Sequence, residues 1–285
     1  MNKHIALALM LSASLLLSGC IEMESVVTVK KDGSGTIEES TLLSAQLSAM
    51  MAMAASGLTQ PGAAPAGPNV LMTDEQAKAK ANKMGAGVTV QTIEALKTPD
   101  GRQGQKIVYA FSDINKVQFE PGDMNAAAGA IPGATGASAA PTTPITFGLS
   151  NGTLTVKNGG NSTPVATPPL PGGAAGAGNT QAGATPLPSA QDLAMIKGMF
   201  AGMRMALKVK SASGIASTDA SFVDGDTVTL MDIQMDKLFD NPAVLDKLSG
   251  LQNNPNMSPA AASEALKGIE GVRAEVKDTI TIKLK

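Results

Sequence analysis

The sequence predicts an α+β domain: an antiparallel β-sheet with helices packed on one side, interrupted by long Ala/Gly/Pro-rich flexible insertions. Three observations point there. Period-two runs recur around tight turns at Asp32-Gly33, Asp100-Gly101, Asn151-Gly152 and Asp224-Gly225, the short-range mark of hairpins. Between them lie stretches rich in Leu, Ala and Met that have no strand period and end on glycine, as helices do. Finally, Gly, Ala and Pro crowd into tracts at about 57–69, 125–141 and 159–188. Such tracts cannot bury enough apolar surface to offset their ordering entropy, so they read as insertions in a single domain spanning 20–285.

The first element is not part of that domain. Lys3 and His4 precede an apolar run from Ile5 to Leu17, and small residues lead into Cys20, the only cysteine. This is the form of a secretory signal over residues 1–19. It is too short, and too interrupted by Ser12 and Ser14, for a membrane-spanning helix of about 20 apolar residues. Leu17-Ser18-Gly19-Cys20 resembles the lipobox of bacterial lipoproteins. The resemblance implies cleavage between Gly19 and Cys20 and lipidation of the Cys20 thiol, with palmitate-type chains anchoring the body to a membrane. Ile21 stands where inner-membrane lipoproteins carry Asp, which implies the outer membrane, facing the periplasm. At about 0.8 kcal/mol per buried methylene, two or more chains suffice to hold a protein on a bilayer.

The elements follow in order. Glu24–Val29 and Ser34–Ser40 form a hairpin. Thr41–Ser56 reads as a helix ending at Gly57. A second helix spans Asp74–Met84, capped by Thr73 and stopped by Gly85; Glu75, Lys78, Lys80 and Lys83 make it a surface helix. Val88–Leu96 and Lys106–Phe111 form a hairpin that sets Ile107, Tyr109 and Phe111 on one face. Thr146–Leu149 and Thr153–Lys157 form a shorter one. Ser189 caps a helix to about Gly202, after which Met203–Lys210 alternates as a half-buried strand. Ile215–Phe222 and Thr227–Ile233 are strands around Asp224-Gly225. Helices are expected over about Asp236–Leu248 and Ser258–Lys267, and a last strand places Ile280, Ile282 and Leu284 on one face.

Composition narrows the chemistry. Without residues 1–19 the balance is three acids in excess, which is not a nucleic-acid or anionic-lipid footprint. His4 is the only histidine, so the domain lacks the imidazole of a Ser-His-Asp triad and, with Cys20 modified, the usual ligands of zinc or haem. No metal, cofactor or catalytic residue is expected, and the chain reads as a non-enzyme. The Asp-Gly turns lack the alternating ligands of a calcium loop. Gly172–Gly178 lacks the Lys-Ser/Thr ending of a phosphate loop.

Over Met203–Leu248 the sequence MRMALKVKSASGIASTDASFVDGDTVTLMDIQMDKLFDNPAVLDKL resembles the core of the LppM-like bacterial lipoprotein domain. The order of lipidated cysteine, strand, Asp-Gly turn, strand and helix does so too. That resemblance implies a secreted α+β domain, and the best-known member is associated with lipid or lipoglycan binding. The chain departs from the pattern at Ser213-Gly214, where Pro-Gly is common, and at Leu230 and Met231, near which a Trp is common, so no binding residues transfer. Methionine is the feature closest to such a role: Met50, Met51 and Met53 in one helix, then Met195, Met199 and Met203 at every fourth position, near Phe200 and Met205. Such residues suit an adaptable apolar pocket, or they fill a core poor in aromatics; thioether ligation of Cu(I) is a third reading. The expected function is a lipid-anchored envelope protein that binds an apolar or lipid ligand. The alternative is a structural or assembly lipoprotein docking on another envelope protein.

Overall fold

The computed structural model describes residues 21–49, 71–120, 143–158, 202–239 and 268–285. The strands are β1 (Ile21–Val29), β2 (Gly35–Leu43), β3 (Thr89–Lys97), β4 (Gln103–Phe111), β5 (Gln118–Phe119), β6 (Ile145–Ser150), β7 (Thr153–Lys157), β8 (Arg204–Ser211), β9 (Ile215–Thr218), β10 (Val223–Asp224), β11 (Thr227–Gln234), β12 (Val272–Ala274) and β13 (Thr279–Leu284). Helices α1 (Asp74–Met84) and α2 (Met235–Phe239), one 3-10 turn at Ile114–Lys116 and a helical stretch at 45–49 complete the described elements.

The strands form two sheets. The larger runs β10-β11-β8-β1-β2-β4-β3, with β12 also on β11; the smaller runs β5-β6-β7-β13-β9. Only β1 and β8 are parallel in the larger sheet, in register from Glu22↔Arg204 to Val29↔Ser211. Alternation explains the orientation of β1: Ile21, Met23, Ser25, Val27 and Val29 are buried, while Glu22, Glu24, Val26 and Thr28 are half-buried on the opposite face. Buried residues of both sheets join one hydrophobic cluster, to which α1 adds Ala77, Ala81 and Met84. The chain leaves the larger sheet for the smaller after β4, after β8 and after β12, and returns after β7 and after β9.

The expectation of one antiparallel sheet with helices on one side is therefore overturned. The described fold is mostly β, built as two sheets on a shared core. Local alternation identifies a strand but not its partner, and β6, β7, β9 and β13 pair with one another instead of extending the first sheet. A second correction concerns Thr41. Pairing of β1 with β2 continues to Ile21↔Leu43, so residues 41–43 are strand and helix starts at 45. Cross-strand pairing overrides the helical propensity of Leu42 and Leu43. The expected strand Ile215–Phe222 stops at Thr218, where the Thr218 hydroxyl accepts from the Ala220 N–H and turns the chain.

α1 lies where it was expected, and its ends show why. Thr73 and Gln76 form a reciprocal capping box, and Gly85 ends the helix at φ 144°. Lys80, on its inward side, pairs with Glu39 of β2 at 2.9 Å. The three Ala/Gly/Pro insertions, the expected helix from Ser189 as far as residue 201, the expected helix at Ser258–Lys267 and residues 1–20 lie outside the described residues, and Gly202 is a turn residue at φ 64°.

Candidate functional site

Cys20 and Gly19 lie outside the described residues, but their neighbour does not. Ile21 opens β1, pairs with Leu43 and is 1% exposed. One end of the larger sheet gathers around it. Leu43 and Gln103 sit in register beside Ile21, Lys97 pairs with Gln103, and Arg204 and Gln234 stand in register beside Glu22. The turn Thr98–Arg102, the start of the 45–49 helix, α2 and Ile269–Gly271 all belong to this end.

Two layers of side chains distinguish it. On the outer face a row of ion pairs crosses the sheet. Asp100 accepts from Arg102 at 2.8 Å, Arg102 reaches Glu22 at 2.8 Å, and Glu22 stands 3.6 Å from Arg204. Arg204 closes a two-pronged contact on Asp232 at 2.9 and 3.0 Å. Hydrogen bonding to Asp232 is the first cause of the raised Arg204 pKa, outweighing burial. Further along the same face Lys208 pairs with Glu24 at 3.0 Å and Lys106 with Glu38 at 2.9 Å. On the inner side four methionines converge: Met23 is the register partner of Met205, and the Met235 N–H donates to the Met203 carbonyl at 2.9 Å. All four are at most 6% exposed. Of the methionines singled out in the sequence, Met203 and Met205 thus belong to the core, while Met50, Met51, Met53, Met195 and Met199 lie outside the described residues.

At the other end of the molecule an open groove of about 350 Å³ is lined by Thr153, Ser217, Thr218, Asp219, Thr281 and Lys283 on the smaller sheet. Its carboxylate is fixed by β13: the Thr281 N–H donates to Asp219 at 2.7 Å and the Thr281 hydroxyl at 3.1 Å. The backbone hydrogen bond, then the hydroxyl and the nearby Lys277 ammonium, hold the Asp219 carboxyl below its usual value. Sequence reading did not find this groove, because its residues come from β7, from β9 and the residue after it, and from β13, and share no local motif. Its hydroxyls suit hydrogen bonding to a polar surface. Among the described residues no group of three or more His, Cys, Asp or Glu is placed to hold a metal ion.

Comparison with known proteins yields little. No family model and no curated protein matches the chain. Among solved structures, the folded domain of LppM from Mycobacterium tuberculosis, determined by NMR, is similar at a TM-score of 0.32 and 10% identity, over 76% of this chain and 83% of that one. At that level the resemblance bears on neither the fold nor the function of this chain.

Proposed function

We infer that the protein is a lipid-anchored, non-enzymatic lipoprotein of the cell envelope whose body binds an apolar or lipid ligand, on the periplasmic side of the outer membrane. The supporting observation is the meeting of two features at one end of the fold. Leu17-Ser18-Gly19-Cys20 runs without a linker into β1, and Met23, Met203, Met205 and Met235 lie buried directly behind that end. Thioether side chains repack at low cost, so a methionine-lined region can admit a chain that a branched core would exclude. Mass spectrometry tests both parts: the mature N-terminus should carry acyl groups on Cys20. A soluble Cys20→Ser form expressed without residues 1–19 should retain lipid from membrane extracts. Recovery of that form without bound lipid counts against the ligand.

A second reading, docking on another envelope protein, is favoured by the larger sheet's edge. β3 pairs only with β4 among the described residues, and most of its nine residues are exposed. Edges of this kind accept an added strand. Crosslinking that returns one stoichiometric protein partner, with no lipid, would favour this reading over the first.

A further inference from the structure

β1 leaves no slack between the anchor residue and the folded body. Consecutive Cα atoms are about 3.8 Å apart, and Ile21 is already buried and paired with Leu43. The strand is also central: at this end β8, β11 and β12 lie on one side of β1 and β2, β4 and β3 on the other. At a spacing of about 4.8 Å the sheet extends roughly 14 Å to each side of the attachment point. A tether at the middle of a broad strand end, rather than at its corner, restricts how far the body can tilt.

The chemistry of that end fits a lipid head-group layer. Lys97, Arg102, Arg204, Lys237 and Arg273 are balanced there by Glu22, Asp100, Asp232, Asp236 and Glu270. The central charges are already paired in the row from Asp100 to Asp232. A belt of this kind tolerates contact with zwitterionic head groups without drawing the protein onto an anionic surface by charge alone. Of the two large hydrophobic side chains exposed among the described residues, Val223 lies at the opposite end of the sheet, in register with Val228 near the start of β11. Leu71, the other, precedes Met72, whose backbone bonds the Gln105 side chain on β4; on the anchor reading the acyl chains on Cys20 supply the membrane affinity.

We propose that the acylated protein stands on the bilayer on the Ile21 end of its larger sheet, in contact with phospholipid head groups through the Thr98–Arg102 turn and α2. β1 then leads away from the membrane. The Lys30–Gly33 turn lies the length of β1 above the lipid, about 26 Å for nine residues. The smaller sheet's groove is carried at that far end: Gly33 approaches Leu149, and the Lys285 N–H donates to the Gly214 carbonyl just beyond β8. The proposal rests on the anchor reading and adds an orientation to it.

Acylated full-length protein, each form carrying one fluorophore on an introduced cysteine (Lys97→Cys, Lys237→Cys, Lys31→Cys or Lys285→Cys), is reconstituted into phosphatidylethanolamine/phosphatidylglycerol vesicles containing a head-group nitroxide lipid. Quenching at 97 and 237 should exceed that at 31 and 285 several-fold. A 20-residue Gly/Ser insertion between Cys20 and Ile21 should erase the contrast while the protein stays with the vesicles. Equal or reversed quenching in acylated protein overturns the orientation alone, as does a contrast that survives the linker. Mass spectrometry showing Cys20 without acyl groups overturns the anchor reading, and this orientation with it.

Discussion

Individual side chains differ sharply in what they hold. Asp232 is nearly buried and gives Arg204 two short contacts, whereas Glu22 is half-exposed and stands 3.6 Å from the same guanidinium. Removing a buried acceptor from a charged donor costs about 2 kcal/mol, while an exposed ion pair contributes at most about 1 kcal/mol. Urea unfolding should therefore show Asp232→Ala destabilised by about 2 kcal/mol and Glu22→Ala by clearly less; equal losses would mean that the row acts as one unit. Buried Glu275 is held differently among the described residues, by backbone and hydroxyl donors. Its carboxylate accepts from the Ser221 N–H at 2.6 Å and the Ser221 hydroxyl at 3.1 Å, and its own N–H donates to the Leu230 carbonyl, so it fixes the passage from β12 toward β13. The turn aspartates set the acid response. Asp219 is held below the ordinary carboxylate value of 3.8 by Thr281 first, and Asp32 and Asp113 by Ser34 and Asn115. A lowered folded pKa contributes stability that is present above about pH 4 and lost as pH falls through the folded value. Asp219→Asn should accordingly melt below the parent protein near neutral pH, and the difference should close as thermal unfolding is followed into acid; a gap that stays constant through the acid range would contradict that origin.

At the level of elements, glycine decides where the strands can approach. A Cβ on Gly35 would run into the Thr28 carbonyl oxygen and the Phe111 ring, and one on Gly104 into the Thr41 carbonyl oxygen. Gly35 pairs with both Val29 and Phe111, and Gly104 with Leu42. Either alanine substitution must open a ladder of the larger sheet, so each should cost about 3 kcal/mol or more in denaturant midpoint terms, while Gly148→Ala, which meets nothing within 4 Å, should cost far less. The hairpins were legible in the sequence because a turn and its two flanking alternations lie within one window. β1–β2, β3–β4 and β6–β7 appear within a few residues of their expected bounds, and the Thr73 cap and the Gly85 stop placed α1. Pairings between distant segments were not legible: the parallel register of β1 with β8 joins residues about 180 apart, and no local period encodes it. Short strands such as β5, β10 and β12 escaped for the same reason, since two or three residues show no alternation. The groove went unseen because its lining residues meet only after β7, β9 and β13 have paired.

For the whole molecule the question is whether two sheets make one cooperative unit. The strand patterns alone suggest a single sheet; the two-sheet arrangement follows from which apolar faces bury against each other, and here they meet in one cluster containing Val27, Ile37 and Tyr109 of the larger sheet and Leu154, Val156 and Ile282 of the smaller. Shared burial couples them, because neither sheet can lose its inner face to water without exposing the other's. The composition supplies a clean probe: Tyr109 is the only tyrosine, there is no tryptophan, and it is fully buried in β4. Ile282, 1% exposed on β13, belongs to the other sheet. Ile282→Ala should cost about 3 kcal/mol, and tyrosine fluorescence should report the whole of that loss at the same denaturant midpoint as far-UV circular dichroism. If the Tyr109 transition stays where it was while the circular dichroism signal splits, the smaller sheet unfolds independently and the common core does not bind the two into one domain.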